Sequence, residues 1–213
     1  MNKKISALLL AGVLALSLAA CAKEDSVTPP GGNAAASGSS GASTSAGGEV
    51  TGLTEAFAEG PILLTTGGQS ADYQMVGTLL KNLGMDYELN NVATSADLGS
   101  AKTLIVVVGG SSKGLGAAGI DADGELARVD ELIKGAKNAG LSVIAMHTGG
   151  TARRGDLSDK FIEPIFSQAD YAIVVASGDE DGLMAGICGN AGIPMDSIEK
   201  ISEVSDVLPN AFL

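Results

Sequence analysis

Between Leu53 and Leu213, short unbroken apolar runs alternate with longer segments whose apolar residues recur at helical spacing. Ile62-Leu63-Leu64-Thr65-Thr66, Thr103-Leu104-Ile105-Val106-Val107-Val108, Leu141 to Met146 and Tyr171 to Val175 read as strands, with a weaker one from Tyr87 to Val92. Between them, Met75, Val76, Leu79, Leu80 and Leu83 form one helical stripe. A second runs through Leu126, Val129, Leu132, Ile133 and Ala136 and is closed by Asn138-Ala139-Gly140, a good C-cap. Phe161, Ile162, Ile165 and Phe166 mark a helix bent near Pro164, and Leu183 to Cys188 another. A short edge strand near Ile198 to Ile201 and a last helical turn complete the pattern. Strands without apolar–polar alternation, separated by helices, belong to a parallel sheet covered on both faces. The expected fold is a three-layer α/β/α, doubly wound parallel sheet of five or six strands, flavodoxin-like in order, with a Rossmann-like order as the alternative.

The first 52 residues are of a different kind. Lys3 and Lys4 precede an apolar run from Ile5 to Leu18, which ends in Leu18-Ala19-Ala20-Cys21. A charged start, an apolar run and small residues form the layout of a secretory signal peptide over residues 1–20. A cysteine directly after the small residues resembles the lipobox of bacterial lipoproteins. That resemblance implies lipidation of Cys21 and a place on the extracytoplasmic face of a membrane. From 21 to 52, Ala, Gly, Ser and Thr dominate. Such a segment buries too little surface to offset its ordering entropy, and reads as a tether reaching roughly 30 Å for about 30 residues. The single folded domain is expected over 53–213.

Charge and cysteine usage exclude several classes. Loss of residues 1–20 takes two lysines and no acid from a chain of net charge −12, leaving −14. That charge repels nucleic acid and anionic lipid headgroups, so lipid chains rather than electrostatics must hold the protein down. With Cys21 lipidated, Cys188 stands alone and no internal disulfide forms; its apolar surroundings make it a small buried hydrophobe. His147 is the only histidine and no Cys-x-x-Cys is present, so no metal site is expected. Asp179-Glu180-Asp181 read as caps of the following helix. Gly114-Leu115-Gly116-Ala117-Ala118-Gly119 matches G-x-G-x-x-G in form only. A dinucleotide fingerprint belongs directly after the first strand, and no cofactor is expected.

In this architecture ligands bind beyond the carboxyl ends of the strands. The loops expected there carry the unusual residues: Gly68, Gln69 and Ser70 after the first strand, and Gly110, Ser111, Ser112 and Lys113 after the third. His147, Gly150 and Arg153 follow the fourth. Glycines that let backbone N–H groups approach a ligand, hydroxyl donors and cationic side chains together suit a small carboxylate or phosphate ester. The same residues permit an alternative, a hydrolase or transferase with His147 as base and Ser111, or a neighbouring serine, as nucleophile. The stretch from Gly114 to Gly124 reads as a long loop, with Leu115 and Ile120 as the apolar spots of a lid.

Gly68-Gln69-Ser70-Ala71-Asp72, Val108 through Gly116, His147-Thr148-Gly149-Gly150, Arg153-Arg154-Gly155 and Leu157 through Phe161 together resemble a family of uncharacterised bacterial lipoproteins carrying a domain of unknown function. The resemblance implies an exported α/β domain and brings no activity with it. More loosely, the domain resembles one lobe of a solute-binding protein. That implies a lipid-anchored module capturing a small anionic ligand for a transporter or sensor in the same membrane.

Overall fold

The unbroken apolar runs do become buried parallel strands. A computed structural model of the chain describes residues 50–213; the expected signal peptide, Cys21 and the expected tether up to residue 49 lie outside the described residues. Six strands, β1 (Ile62–Gly67), β2 (Tyr87–Leu89), β3 (Thr103–Val108), β4 (Ser142–His147), β5 (Tyr171–Val175) and β6 (Met195–Ile198), form one sheet. Its order is β2-β1-β3-β4-β5-β6, and every pairing is parallel. The first five follow the flavodoxin-like order, with β6 added beside β5. All residues of β1, β3 and β5 are buried, because helices cover both faces.

Side-chain alternation divides the core in two. Leu63, Leu104, Val106, Val143, Ala145 and Val174 point toward α3 (Ala122–Asn138), α4 (Asp156–Phe166) and α5 (Leu183–Ala191). Ile62, Leu64, Ile105, Val107, Ile144 and Ile173 point toward α1 (Asp72–Asn82) and α6 (Val204–Val207). The chain departs from β1 to one side for β2 and to the other for β3. The switch point therefore lies between the carboxyl ends of β1 and β3. None of the described helices is long and apolar enough to cross a membrane.

Several boundaries differ from the sequence reading: β2 stops at Leu89 instead of Val92, and β4 runs one residue later than expected. The last strand is Met195–Ile198 rather than 198–201, because Pro194 and Asp196 mask a run that pairs with Ala172–Val175. The folded contacts begin before Leu53: Met195 donates its N–H to the carbonyl of Thr51 at 2.9 Å, and Val50 packs on the core. Cys188 is fully buried, and burial pushes its thiol up to about 12, as suits an inert hydrophobe. Asp179 and Asp181 accept from the N–H groups of Met184, Ala185 and Leu183, which makes both of them caps of α5.

The expected lid between Gly114 and Gly124 is not a loop. Ser112–Ala118 form a further helix, α2. Ser111 caps it by accepting from the N–H of Gly114 at 3.0 Å, and Gly119 ends it in the left-handed conformation at φ 69°. Asp121 then caps α3 through Gly124. One of the glycines that argued for a loop, Gly114, has a packing reason. A Cβ on Gly114 would stand 2.0 Å from the carbonyl oxygen of Gln69, so only glycine lets α2 lie against that turn. Leu115 is 6% exposed and faces inward. Leu115→Asp should therefore unfold the domain more readily, costing at least the roughly 2–5 kcal/mol of a buried leucine truncation. Urea denaturation checks this; a variant as stable as the parent would restore the lid reading.

Candidate functional site

At the switch point the backbone laces the crevice shut. Gly109 donates to the carbonyl of Gly67 at 2.9 Å, Ser70 to that of Gly109 at 2.9 Å, and Ser111 to that of Gly68 at 2.8 Å. Gly68 sits at φ 100°, and a Cβ there would lie 2.6 Å from the Gly109 carbonyl oxygen. The N–H of Gly68 donates to Glu125 Oε1 at 3.0 Å, and that of Gly110 to Ser158 Oγ at 2.9 Å. The glycines do bring backbone close, but to other parts of this chain. Of the backbone N–H groups expected to cradle a ligand, those of Gly68 and Gly110 are engaged within the protein.

The partner of Gly68 belongs to a buried ion pair that sequence reasoning missed. Glu125 is fully buried at the start of α3, and Arg128 one turn later holds it with Nε and a terminal nitrogen, each at 2.8 Å. The guanidinium also donates to the carbonyls of Ala93 at 2.6 Å and Thr66 at 2.7 Å. Gln69 Nε2 donates to Glu125 Oε1 at 3.1 Å and to the carbonyl of Asn91 at 2.7 Å, while Asn91 Nδ2 returns a bond to Gln69 Oε1 at 2.9 Å. This clasp holds Gln69 at φ 62°, the one non-glycine residue in the left-handed region among those described. The available signal was Glu125 itself, one turn before Val129 on the apolar stripe of α3, where a solvated acid would not belong.

Across the same edge, Asp72 gathers the other half of the expected site. Its Oδ2 accepts from Ser70 Oγ at 2.6 Å and from Arg153 Nε at 2.8 Å. His147 is fully buried, and its Nε2 lies 3.1 Å from the carbonyl oxygen of Arg153, so that nitrogen carries the proton and donates. Its Nδ1 has no partner and faces Gly178, whose Cβ position would be 2.6 Å away. Gly150, at φ 56°, is likewise packed on Ser177. Arg154 bonds Asp159, Asp181 and the carbonyl of Gly178. Those ion pairs hold Asp181 down at about 2. Among the described residues no serine hydroxyl bonds His147: Ser70 is turned to Asp72, and Ser111 caps α2. The structure therefore does not assemble the His147–Ser111 pair of the catalytic alternative.

Two parts of the edge are open; the smaller, about 210 Å³, lies beside Arg154 and is lined by the acids Glu180 and Asp181. The larger, a cavity of about 360 Å³, lies beside the switch point, lined on its polar side by Gln69, Tyr73, Gln74, Asn91, Ser111 and Lys113, and otherwise by small residues such as Ala117. Among the described residues no carboxylate lines it. Arg128, Arg153 and Arg154 are all paired with acids, whereas Lys113 has no ion-pair partner among the described residues. Ser112 is exposed and outside the lining. Of the expected ligand residues, the structure gathers Gln69, Ser111 and Lys113 here, leaves Ser70, His147 and Arg153 around Asp72, and packs Gly150 on Ser177.

Residues 59–212 match a family described as a domain of unknown function, DUF6305. The chain belongs to that family. No curated protein matches it. Among solved structures, the psychrotrophic esterase EstA from Pseudoalteromonas sp., inhibited by monoethylphosphonate, is similar at 14% identity over 64% of this chain and 76% of that one, with a TM-score of 0.30. A likeness that low carries no argument about the chemistry of this DUF6305 domain.

Burial, the leading cause, holds His147 below its ordinary value of 6.5; the cation of Arg154 adds to this, while the Arg153 carbonyl and Asp72 oppose it. The unfolded chain therefore binds this proton more readily than the folded one, and stability must fall as pH drops below about 6.5. Carboxylates such as Asp97 and Asp130, lowered from 3.8, titrate below that window. Urea midpoints measured from pH 7 to 5 should decline in the parent and flatten in His147→Gln. An identical slope in both would show that His147 does not set it.

Proposed function

We propose that the domain captures a small anionic solute, a carboxylate or phosphate ester, in the cavity beside the switch point, without catalysis. The observation that carries this reading is Lys113, a cation without an acidic partner, on a cavity with no carboxylate in its lining. Ser111 still has its hydroxyl proton to donate, because its oxygen only accepts from Gly114. Asn91 retains one amide hydrogen, since Gln69 takes the other. An ammonium, a hydroxyl and an amide N–H converging on one open volume form a donor set for an oxyanion. The volume falls within the range of small-molecule sites. The hydrolase alternative lacks such support, because the imidazole of His147 is turned to a backbone carbonyl.

The proposal includes the setting. Lipidation at Cys21 would hold the domain on the extracytoplasmic face of a cell membrane, where it would present its ligand to a transporter or sensor. No second lobe is needed if such a partner covers the open cavity.

Thermal-shift and calorimetric titration of the purified protein with small carboxylates and phosphate esters tests the reading. A binder at a hundred times its Kd should add about 2.7 kcal/mol of stability. Lys113→Ala should abolish most of that gain, and Arg153→Ala, which breaks only the Asp72 pair, should weaken folding and leave affinity nearly unchanged. A panel in which no anion stabilises the protein, or a gain that survives Lys113→Ala, overturns it.

A further inference from the structure

The place where this topology ordinarily receives a ligand is already filled. Four donors converge outside the carboxyl ends of β1 and β3: the N–H of Gly68, Nε2 of Gln69, and Nε and one terminal nitrogen of Arg128. Their common acceptor is the carboxylate of Glu125, which is fully buried. A guanidinium fork meeting both oxygens, joined by a backbone N–H and an amide, is the arrangement by which proteins bind a ligand carboxylate. Here the carboxylate arrives on a side chain from α3 rather than from solution.

We propose that this crevice is a carboxylate-binding site that the chain keeps occupied with Glu125 as a built-in ligand. Two consequences follow for the natural protein. A flavin or nucleotide phosphate is excluded from the crevice, because its donors have no vacancy and its backbone is laced shut. A ligand of this edge must lie outside the crevice. The donors are not specific to a tethered acid, however. Shortening Glu125 to alanine removes a –CH2–COO− group, which is acetate less one hydrogen, and leaves Arg128, Gly68 and Gln69 in place around the gap. The vacated site should therefore take free acetate or the smaller formate, while phosphate is too large for it.

The inference stands apart from the capture of solutes by Lys113, and the test separates them by placing every variant in a Lys113→Ala background of the full chain. Thermal unfolding is followed in sodium acetate, formate, phosphate and, at matched ionic strength, chloride. Glu125→Ala should melt well below the Lys113→Ala parent. It should regain roughly 5–11 °C at a hundredfold excess of acetate over its Kd, with saturation. Chloride and phosphate should not reproduce that gain, and adding Arg128→Leu should abolish it. If Glu125→Ala does not fold in chloride, refolding it in acetate should restore a cooperative transition. Equal effects of acetate and chloride, rescue that persists without Arg128, or failure to fold in every anion would each overturn the built-in ligand.

Discussion

The pairing of Glu125 with Arg128 is the interaction on which the carboxyl edge depends. Burying two opposite charges is costly unless their remaining hydrogen-bonding capacity is met. Here it is met largely by main chain at the ends of two strands. Arg128 ties the carbonyl of Thr66 at the end of β1 to that of Ala93 beyond β2, and Glu125 ties the N–H of Gly68 to the same helix. Without the pair, those backbone groups would lie buried and unsatisfied. With it, the turn carrying Gln69 is fixed, and through Gln69 so are Asn91 and the seat on which Gly114 of α2 rests. One ion pair thus sets the walls of the open cavity without lining it.

This arrangement divides the cations of the edge by role. Arg153 and Arg154 clamp the turns after β4 and β5 to Asp72, Asp159 and Asp181, and Arg128 serves the crevice. Among the described residues, Lys113 is a cation of that edge without an acidic partner, which is why it is proposed to meet the ligand. The net charge of −12 opposes an anion at long range. Exposed charges are screened beyond about 8 Å at physiological ionic strength, so the local balance decides, and around Lys113 it is positive.

Much of the fold could be read from the sequence, because a parallel sheet covered on both faces leaves a signal that few other arrangements leave. β3 and β5 are the runs Thr103–Val108 and Tyr171–Val175 as read, residue for residue. What failed were places where glycine had two meanings. Gly114 and Gly116 carry poor helix propensity and read as loop, yet the missing Cβ of Gly114 is what allows a helix to sit on Gln69. Gly68 and Gly110 were read as approaches to a ligand, and they are approaches of one backbone segment to another. Both uses demand the same residue, so the sequence locates the close contact without saying what it is with. Glu125 escaped for the opposite reason: an acid in the first turn of a helix is ordinary, and only its place on the apolar stripe marked it.

We propose that an anion binds this edge beside Lys113 and not in the cavity that Glu180 and Asp181 line. Backbone amide chemical shifts, followed through a titration of the protein with a short carboxylate, measure this directly. Saturable shifts at Gln69 to Gln74, Asn91 and Ser111 to Ala118, with Gly149 to Arg154 unmoved, are the predicted result. Shifts concentrated at Gly149 to Arg154, or none that saturate anywhere, would contradict it.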